Sequence, residues 1–216
     1  MTATTHRRAS IIHGYAATPE DHWFGWLADQ LEADGIPTTI PRLPDPQHPD
    51  PTRWAAAVRT AVGTPDENST IIAHSLGCLT VLRHLNALPT PWRLGTLVLV
   101  AGFVDPLPAL PELDDYIADG CPLGGVSANV DQLTLIRSDA DPYVPAPHTD
   151  RLAALLGTTP KIIPAAGHFL TSDGFTTLPQ ALASFSSQPS GTCRSQDPFR
   201  SRVPRTSPSA LQSPAT

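Results

Sequence analysis

An α/β fold is predicted for this chain of 216 residues, a three-layer αβα sandwich on a mostly parallel six-stranded sheet. Three observations carry that prediction. Short runs of β-branched and apolar residues recur at 9–13, 36–40, 69–73, 96–101, 132–137 and 161–164. Each run shows little polar alternation, the pattern of strands covered by helices on both faces. Helical stretches separate the runs, and βαβα alternation with right-handed crossovers places helices on either side of one sheet.

Taken in order, the strand at 9–13 ends in the turn Ile11-Ile12-His13-Gly14-Tyr15. A helix over 23–33 follows, its start marked by His22-Trp23-Phe24-Gly25-Trp26; Trp23 and Trp26 share a helix face and are expected in the core, with Trp23 at most bordering a pocket. The second strand leads into a proline-rich stretch, 37–51, read as an extended loop on one rim of the site, and then into a helix over 51–62. The third strand runs directly into a helix over 76–88. After the fourth strand, residues 102–130 are rich in proline and acids, with a short helix at 111–118. That length exceeds an ordinary βα connection, and loops so long are usually functional, so this one is read as a cap over the strand ends that shapes the substrate site. The fifth strand, a helix over 147–156, the sixth strand and a last helix over 178–185 complete the fold.

Length gives no reason to divide the folded part, and residues 1–186 are read as one domain. From 187 to 216 the composition turns to Ser, Pro, Arg, Thr and Gln, which cannot bury enough surface to offset ordering entropy; a disordered tail is expected. The tail holds four arginines, Arg194, Arg200, Arg202 and Arg205, against Asp197, so the net charge of −6 leaves −9 on the body. An acidic body argues against a nucleic-acid partner, which requires a basic face. The cysteines Cys78, Cys121 and Cys193 are odd in number and lack C-x-x-C spacing, which suits free thiols in a reducing compartment. Residues 1–10 lack the apolar run of a secretory leader and no stretch has bilayer length, so the expectation is a cytoplasmic protein without membrane partners.

The chemistry is concentrated at Ala73-His74-Ser75-Leu76-Gly77, where an apolar strand meets a helix. This is the pattern of a nucleophile elbow, a strained turn that raises a serine hydroxyl above the sheet edge. The positions two before and two after the serine must be small to clear the neighbouring strand and helix, and Ala73 and Gly77 meet that demand. A serine hydroxyl needs a base to take its proton, and a carboxylate to hold the base's tautomer. In this fold the chain order is Ser, acid, His. The loop after the fifth strand reads Ser138-Asp139-Ala140-Asp141-Pro142 and the loop after the sixth reads Ala166-Gly167-His168-Phe169. Ser75 and His168 are therefore the expected nucleophile and base. Asp141 is favoured over Asp139 as the acid, Asp139 lying nearer the strand, where it would only cap the turn.

Attack on a carbonyl also needs donors for the developing oxyanion. The N–H of Leu76 is one candidate and the N–H of Tyr15 the other, with Gly14 letting the backbone bend toward the substrate. His13 and His74 are read as structural hydrogen-bonding groups and Cys78 as a small buried hydrophobe. No metal-binding spacing is present, and neither a metal nor another cofactor is required.

At these residues the chain also resembles the YdeN-type branch of the retinoblastoma-binding protein nine family of small serine hydrolases. The likeness covers most of residues 9–185. It includes His13-Gly14-Tyr15, His22-Trp23-Phe24 with Trp26, Pro44-Asp45-Pro46 followed by Trp54, the elbow, Asp141 with Val144-Pro145, and Gly167-His168-Phe169 followed by Gly174-Phe175-Thr176. The resemblance implies a compact α/β-hydrolase lacking the first strands of larger members, with Ser75, Asp141 and His168 as its triad. It carries little about the substrate, and the tail from Ser187 has no counterpart. The expected function is hydrolysis of small esters or related acyl compounds through an acyl-enzyme. The alternative is a binding or scaffold protein that keeps the fold while the chemistry is idle.

Overall fold

The computed structural model describes residues 6–185; the tail expected at 187–216 lies outside the described residues. Six parallel strands form one sheet in the order β2-β1-β3-β4-β5-β6. They are β1 (Arg8–Ile12), β2 (Thr38–Thr39), β3 (Ser69–His74), β4 (Leu94–Val100), β5 (Val130–Ser138) and β6 (Lys161–Ile163). The helices are α1 (Phe24–Ala33), α2 (Pro51–Val62), α3 (Leu76–Asn86), α4 (Asp114–Ile117), α5 (Ala146–Leu155) and α6 (Pro179–Leu182). From β2 the chain crosses back over β1 to form β3. The order reverses there, opening a crevice beyond the carboxyl ends of β1 and β3.

The central strands are buried along their full length, and successive side chains feed separate cores. Ile71, Ala73, Leu97 and Leu99 pack with Trp54 and Val58 of α2, the apolar side chains of α3, and Leu152 of α5. Ile72, Val98 and Val100 face Phe24, Leu27, Ala28 and Leu31 of α1, together with Ala181 of α6. The expected three layers follow. Along α1 those four residues recur at three- and four-residue spacing, which places them on one face. The start of α2 is set locally: the Asp50 carboxylate accepts the Arg53 N–H at 2.7 Å, and Pro51 occupies the first turn, where a missing donor costs nothing.

Several boundaries differ from expectation for identifiable reasons. The second strand is only Thr38–Thr39, because Pro37 offers no N–H to a ladder and meets β1 only through its carbonyl, which accepts the Ala9 N–H at 2.9 Å. β4 and β5 both start two residues early, since their registry extends back to Leu94 opposite Val130. α5 starts one residue early, α3 ends at Asn86, and the last helix is reduced to Pro179–Leu182.

The cap is part of the core rather than a loose flap. It contains the 3-10 turn Pro111–Leu113 followed by α4, and it buries Leu107, Leu113, Tyr116, Ile117, Leu123 and Val126. Arg83 of α3 donates to the carbonyls of Tyr116 (2.8 Å), Ile117 (2.7 Å) and Gly120 (3.1 and 3.2 Å), and the Thr80 hydroxyl pairs with that of Tyr116 at 2.7 Å. The cap is thus bolted to α3, the helix that Ser75 leads into. Among the described residues no helix is long and apolar enough to cross a membrane.

Candidate active site

β3 ends at His74 and α3 begins at Leu76, leaving Ser75 alone in the turn with φ 54° and ψ −126°. A non-glycine residue in that region is strained and persists only where the surroundings fix it. The fixing contacts are visible. The Ser75 N–H donates to the Val100 carbonyl at 2.9 Å, and Ala73 is fully buried between Ile12 and Leu99 in the sheet. A Cβ on Gly77 would lie 2.4 Å from the His13 carbonyl oxygen and 2.8 Å from that of Ile12. A Cβ on Gly14 would lie 2.8 Å from the Ser75 Cβ, so Gly14 is small in order to clear the serine, beyond the expected freedom to bend toward substrate. Gly77→Ala is therefore expected to push the β1 loop off the elbow at an overpacking cost of about 1–3 kcal/mol. Urea unfolding of the variant checks this; a midpoint equal to wild type would contradict the contact.

The structure brings Ser75, His168 and Asp141 together from three loops. His168 Nε2 lies 3.0 Å from Ser75 Oγ, and His168 Nδ1 lies 2.7 Å from Asp141 Oδ2. A carboxylate only accepts, so Nδ1 carries the ring hydrogen and Nε2 is left to accept a hydrogen bond from the Ser75 hydroxyl. Asp141 is anchored from its other side, where Oδ1 accepts the N–H groups of Tyr143 and Val144, both at 2.9 Å. The side chains of His168 and Asp141 are only 7% and 3% exposed, which keeps their hydrogen bond out of competition with water. Asp139 lies apart: its Oδ1 accepts the Ala165 N–H at 2.8 Å and so ties the β5 loop to the loop after β6.

Tyr15 and Ser75 line one cavity, and a Cβ on Gly14 would lie 3.4 Å from the Ser75 hydroxyl oxygen. The Ala16 N–H is taken by the Pro46 carbonyl, whereas the N–H groups of Tyr15 and Leu76 have no acceptor among the described residues.

His13 and His74 are hydrogen-bonded as expected. His13 donates from Nδ1 to the Gly14 carbonyl at 3.0 Å and accepts the Leu43 N–H on Nε2 at 3.0 Å, which fastens the rim loop over β1. Burial pushes its pKa below the ordinary histidine value. His74 is held further below that value, first by complete burial and then by the neighbouring His168. Trp23 is fully buried against Phe24 and His74 and does not line the cavity. Cys78 is buried, its thiol pKa pushed strongly up by desolvation, as a packing residue requires.

The serine opens into a cavity of about 190 Å³ lined also by Ala16, His22, Leu110, Tyr143 and Leu170. Sequence reasoning assigned no role to these five. Leu110 arrives from the cap, and the Tyr143 ring packs edge-on to His168 at 5.3 Å. A neighbouring cleft of about 490 Å³ shares Tyr15 and runs between Gln47–Pro51 of the rim loop and Glu112, Asp115 and Tyr116 of the cap. Among the described residues no group of three His, Cys, Asp or Glu side chains is arranged to hold a metal ion.

Comparison with known proteins agrees with this geometry. The family model described as serine hydrolase matches residues 9–187. The YdeN protein of Bacillus subtilis (strain 168) is 35% identical over 173 residues, covering 80% of this chain and 91% of that protein. The crystal structure of the B. subtilis ydeN gene product superposes with a TM-score of 0.79 at 34% identity, covering 84% of this chain and all of that one. At the level of fold alone, a YdeN-like protein of Pectobacterium atrosepticum matches with a TM-score of 0.61 at 18% identity, over 82% of this chain and 88% of that one. Est1E of Butyrivibrio proteoclasticus also matches at 0.61, with 12% identity over 84% of this chain and 85% of that one. The chain is a hydrolase of the α/β-hydrolase fold and belongs to the serine hydrolase family, in its YdeN-type branch.

Proposed function

We propose that this hydrolase cleaves small carboxylic esters, with Ser75 as nucleophile, His168 as general base and acid, and Asp141 as the group that orients and charge-balances the imidazole. The observation that carries the reading is the unbroken line from Ser75 Oγ through the His168 ring to Asp141, opening into a cavity. Ser75 attacks the acyl carbonyl as Nε2 takes its proton. The oxyanion is met by the N–H groups of Leu76 and Tyr15, and His168 then returns the proton to the departing alcohol. Water repeats the sequence on the acyl-enzyme and frees the acid.

The cavity limits the acyl group. At about 190 Å³ it falls below the roughly 300 Å³ at which drug-sized pockets begin. Leu110, Leu170 and Ala16 give it apolar walls suited to a short alkyl chain, while the open cleft beyond Tyr15 leaves room for a larger alcohol. A series of p-nitrophenyl esters tests this. Expected is a maximum in kcat/KM at acetate to butyrate and a decline of at least about tenfold beyond six carbons. A profile rising toward long chains overturns the size argument, and absence of turnover on every ester overturns the ester assignment. The aligned serine, imidazole and carboxylate support the enzyme reading over an idle scaffold.

A further inference from the structure

We propose that His74 and Asp173 are positioning residues that hold the main chain of His168 from both sides, fastening the loop of the base to the residue preceding the nucleophile. The inference rests on the serine-hydrolase reading above, and goes beyond it to how the base is kept in place.

His168 lies in irregular backbone after β6, and that backbone is not held by its own preferences. Ala165, Gly167 and Phe169 all have positive φ, at 52°, 54° and 60°, so left-handed residues bracket His168 on both sides. For Ala165 and Phe169 this conformation is disfavoured and must be imposed from outside. The external contacts fall on His168 itself. Its N–H donates to Asp173 Oδ2 at 2.8 Å, and its carbonyl accepts from His74 Nε2 at 2.9 Å. Both polar groups of the base's peptide backbone are thus satisfied by side chains.

Each partner is committed to that task. A carbonyl can only accept, so Nε2 of His74 carries the ring hydrogen, while its Nδ1 has no partner among the described residues. The His74 ring is buried 4.8 Å from that of His168, and desolvation keeps it neutral beside a base that must itself become charged. His74 also closes β3, so adjacent residues reach the same loop. His74 grips the backbone of the base and Ser75 faces its ring. Asp173 uses the same oxygen for the Leu170 N–H at 3.1 Å. It fits under the loop because residue 167 is glycine, where a Cβ would lie 2.4 Å from the carboxyl carbon.

Four full-length variants test the proposal: His74→Phe and Asp173→Ala, which remove the donor and the acceptor, and His74→Gln and Asp173→Asn, which retain them. The readouts are the rate of Ser75 labelling by a fluorophosphonate and kcat and KM on p-nitrophenyl acetate. Displacement of the base by an ångström or less predicts losses of about 10²-fold in labelling rate and kcat for the first pair, with KM nearly unchanged. The second pair is expected to recover most of that loss. The proposal is overturned if the first pair works within a few-fold of wild type, or if the conservative variants are no better than the disruptive ones. Should His74→Phe fail to fold, the Asp173 pair decides by the same criteria. A wild-type protein that the probe does not label at Ser75 removes the serine-hydrolase reading and this inference together. Normal wild-type labelling with indifferent variants removes this inference alone.

Discussion

Ser75→Ala is expected to lower ester turnover by roughly 10⁶-fold, to the limit of detection, and to abolish labelling by a fluorophosphonate. The size of the effect follows from the unit in which the hydroxyl sits. On the proposed mechanism, without Oγ the base has no proton to move, and neither the Asp141 contact nor the N–H groups of Leu76 and Tyr15 proposed for the oxyanion can compensate. Stability should change little. The substitution deletes one hydrogen bond, to His168 at 3.0 Å, worth about 1 kcal/mol, and leaves the turn at φ 54° with a side chain no larger than before. Sites of this kind hold strain for function, so a slight stabilisation would be unsurprising. Unfolding measured beside turnover separates loss of chemistry from loss of fold. Residual turnover within tenfold of wild type, in a variant that folds, would remove Ser75 from the mechanism.

The elbow was legible in the sequence because its demands are local. A hydroxyl raised on a strained turn permits only small neighbours: Ala73 is fully buried in the sheet, and Gly77 lies against the carbonyls of Ile12 and His13. The order of serine, acid and histidine was legible because a parallel sheet with right-handed crossovers delivers all its βα loops to one edge. What stayed hidden depends on contacts between distant segments that leave no periodic mark. Arg83 reads as a polar position on a buried helix, yet it carries the cap through carbonyls more than thirty residues away. Asp173 reads as an ordinary turn residue until the missing side chain of Gly167 is seen to make room for it. The only hint was Gly167 itself, placed just before the histidine. Leu110, Tyr143 and Leu170 enter the cavity through loop conformations that composition does not determine.

The choice between two aspartates in one turn gives the second large prediction. Asp141→Asn is expected to lower kcat by roughly 10⁴-fold with KM nearly unchanged, whereas Asp139→Asn should stay within a few-fold of wild type. The difference lies in what each carboxylate holds. In Asp141 one oxygen is occupied by the N–H groups of Tyr143 and Val144, so an asparagine there must keep its carbonyl oxygen on that side. Its NH₂ then faces His168 Nδ1, and a donor meeting a donor forces the ring hydrogen onto Nε2. In that tautomer Nε2 cannot accept the serine proton, although every heavy atom remains in place. Asp139 accepts a single backbone N–H, from Ala165, and an asparagine carbonyl accepts it equally well. Parallel kinetics on the two variants check the assignment, with unfolding curves to show that both retain the fold. If Asp139→Asn lost the larger share of kcat, the acid of the site would have to be reassigned and the hydrogen bond at 2.7 Å treated as structural.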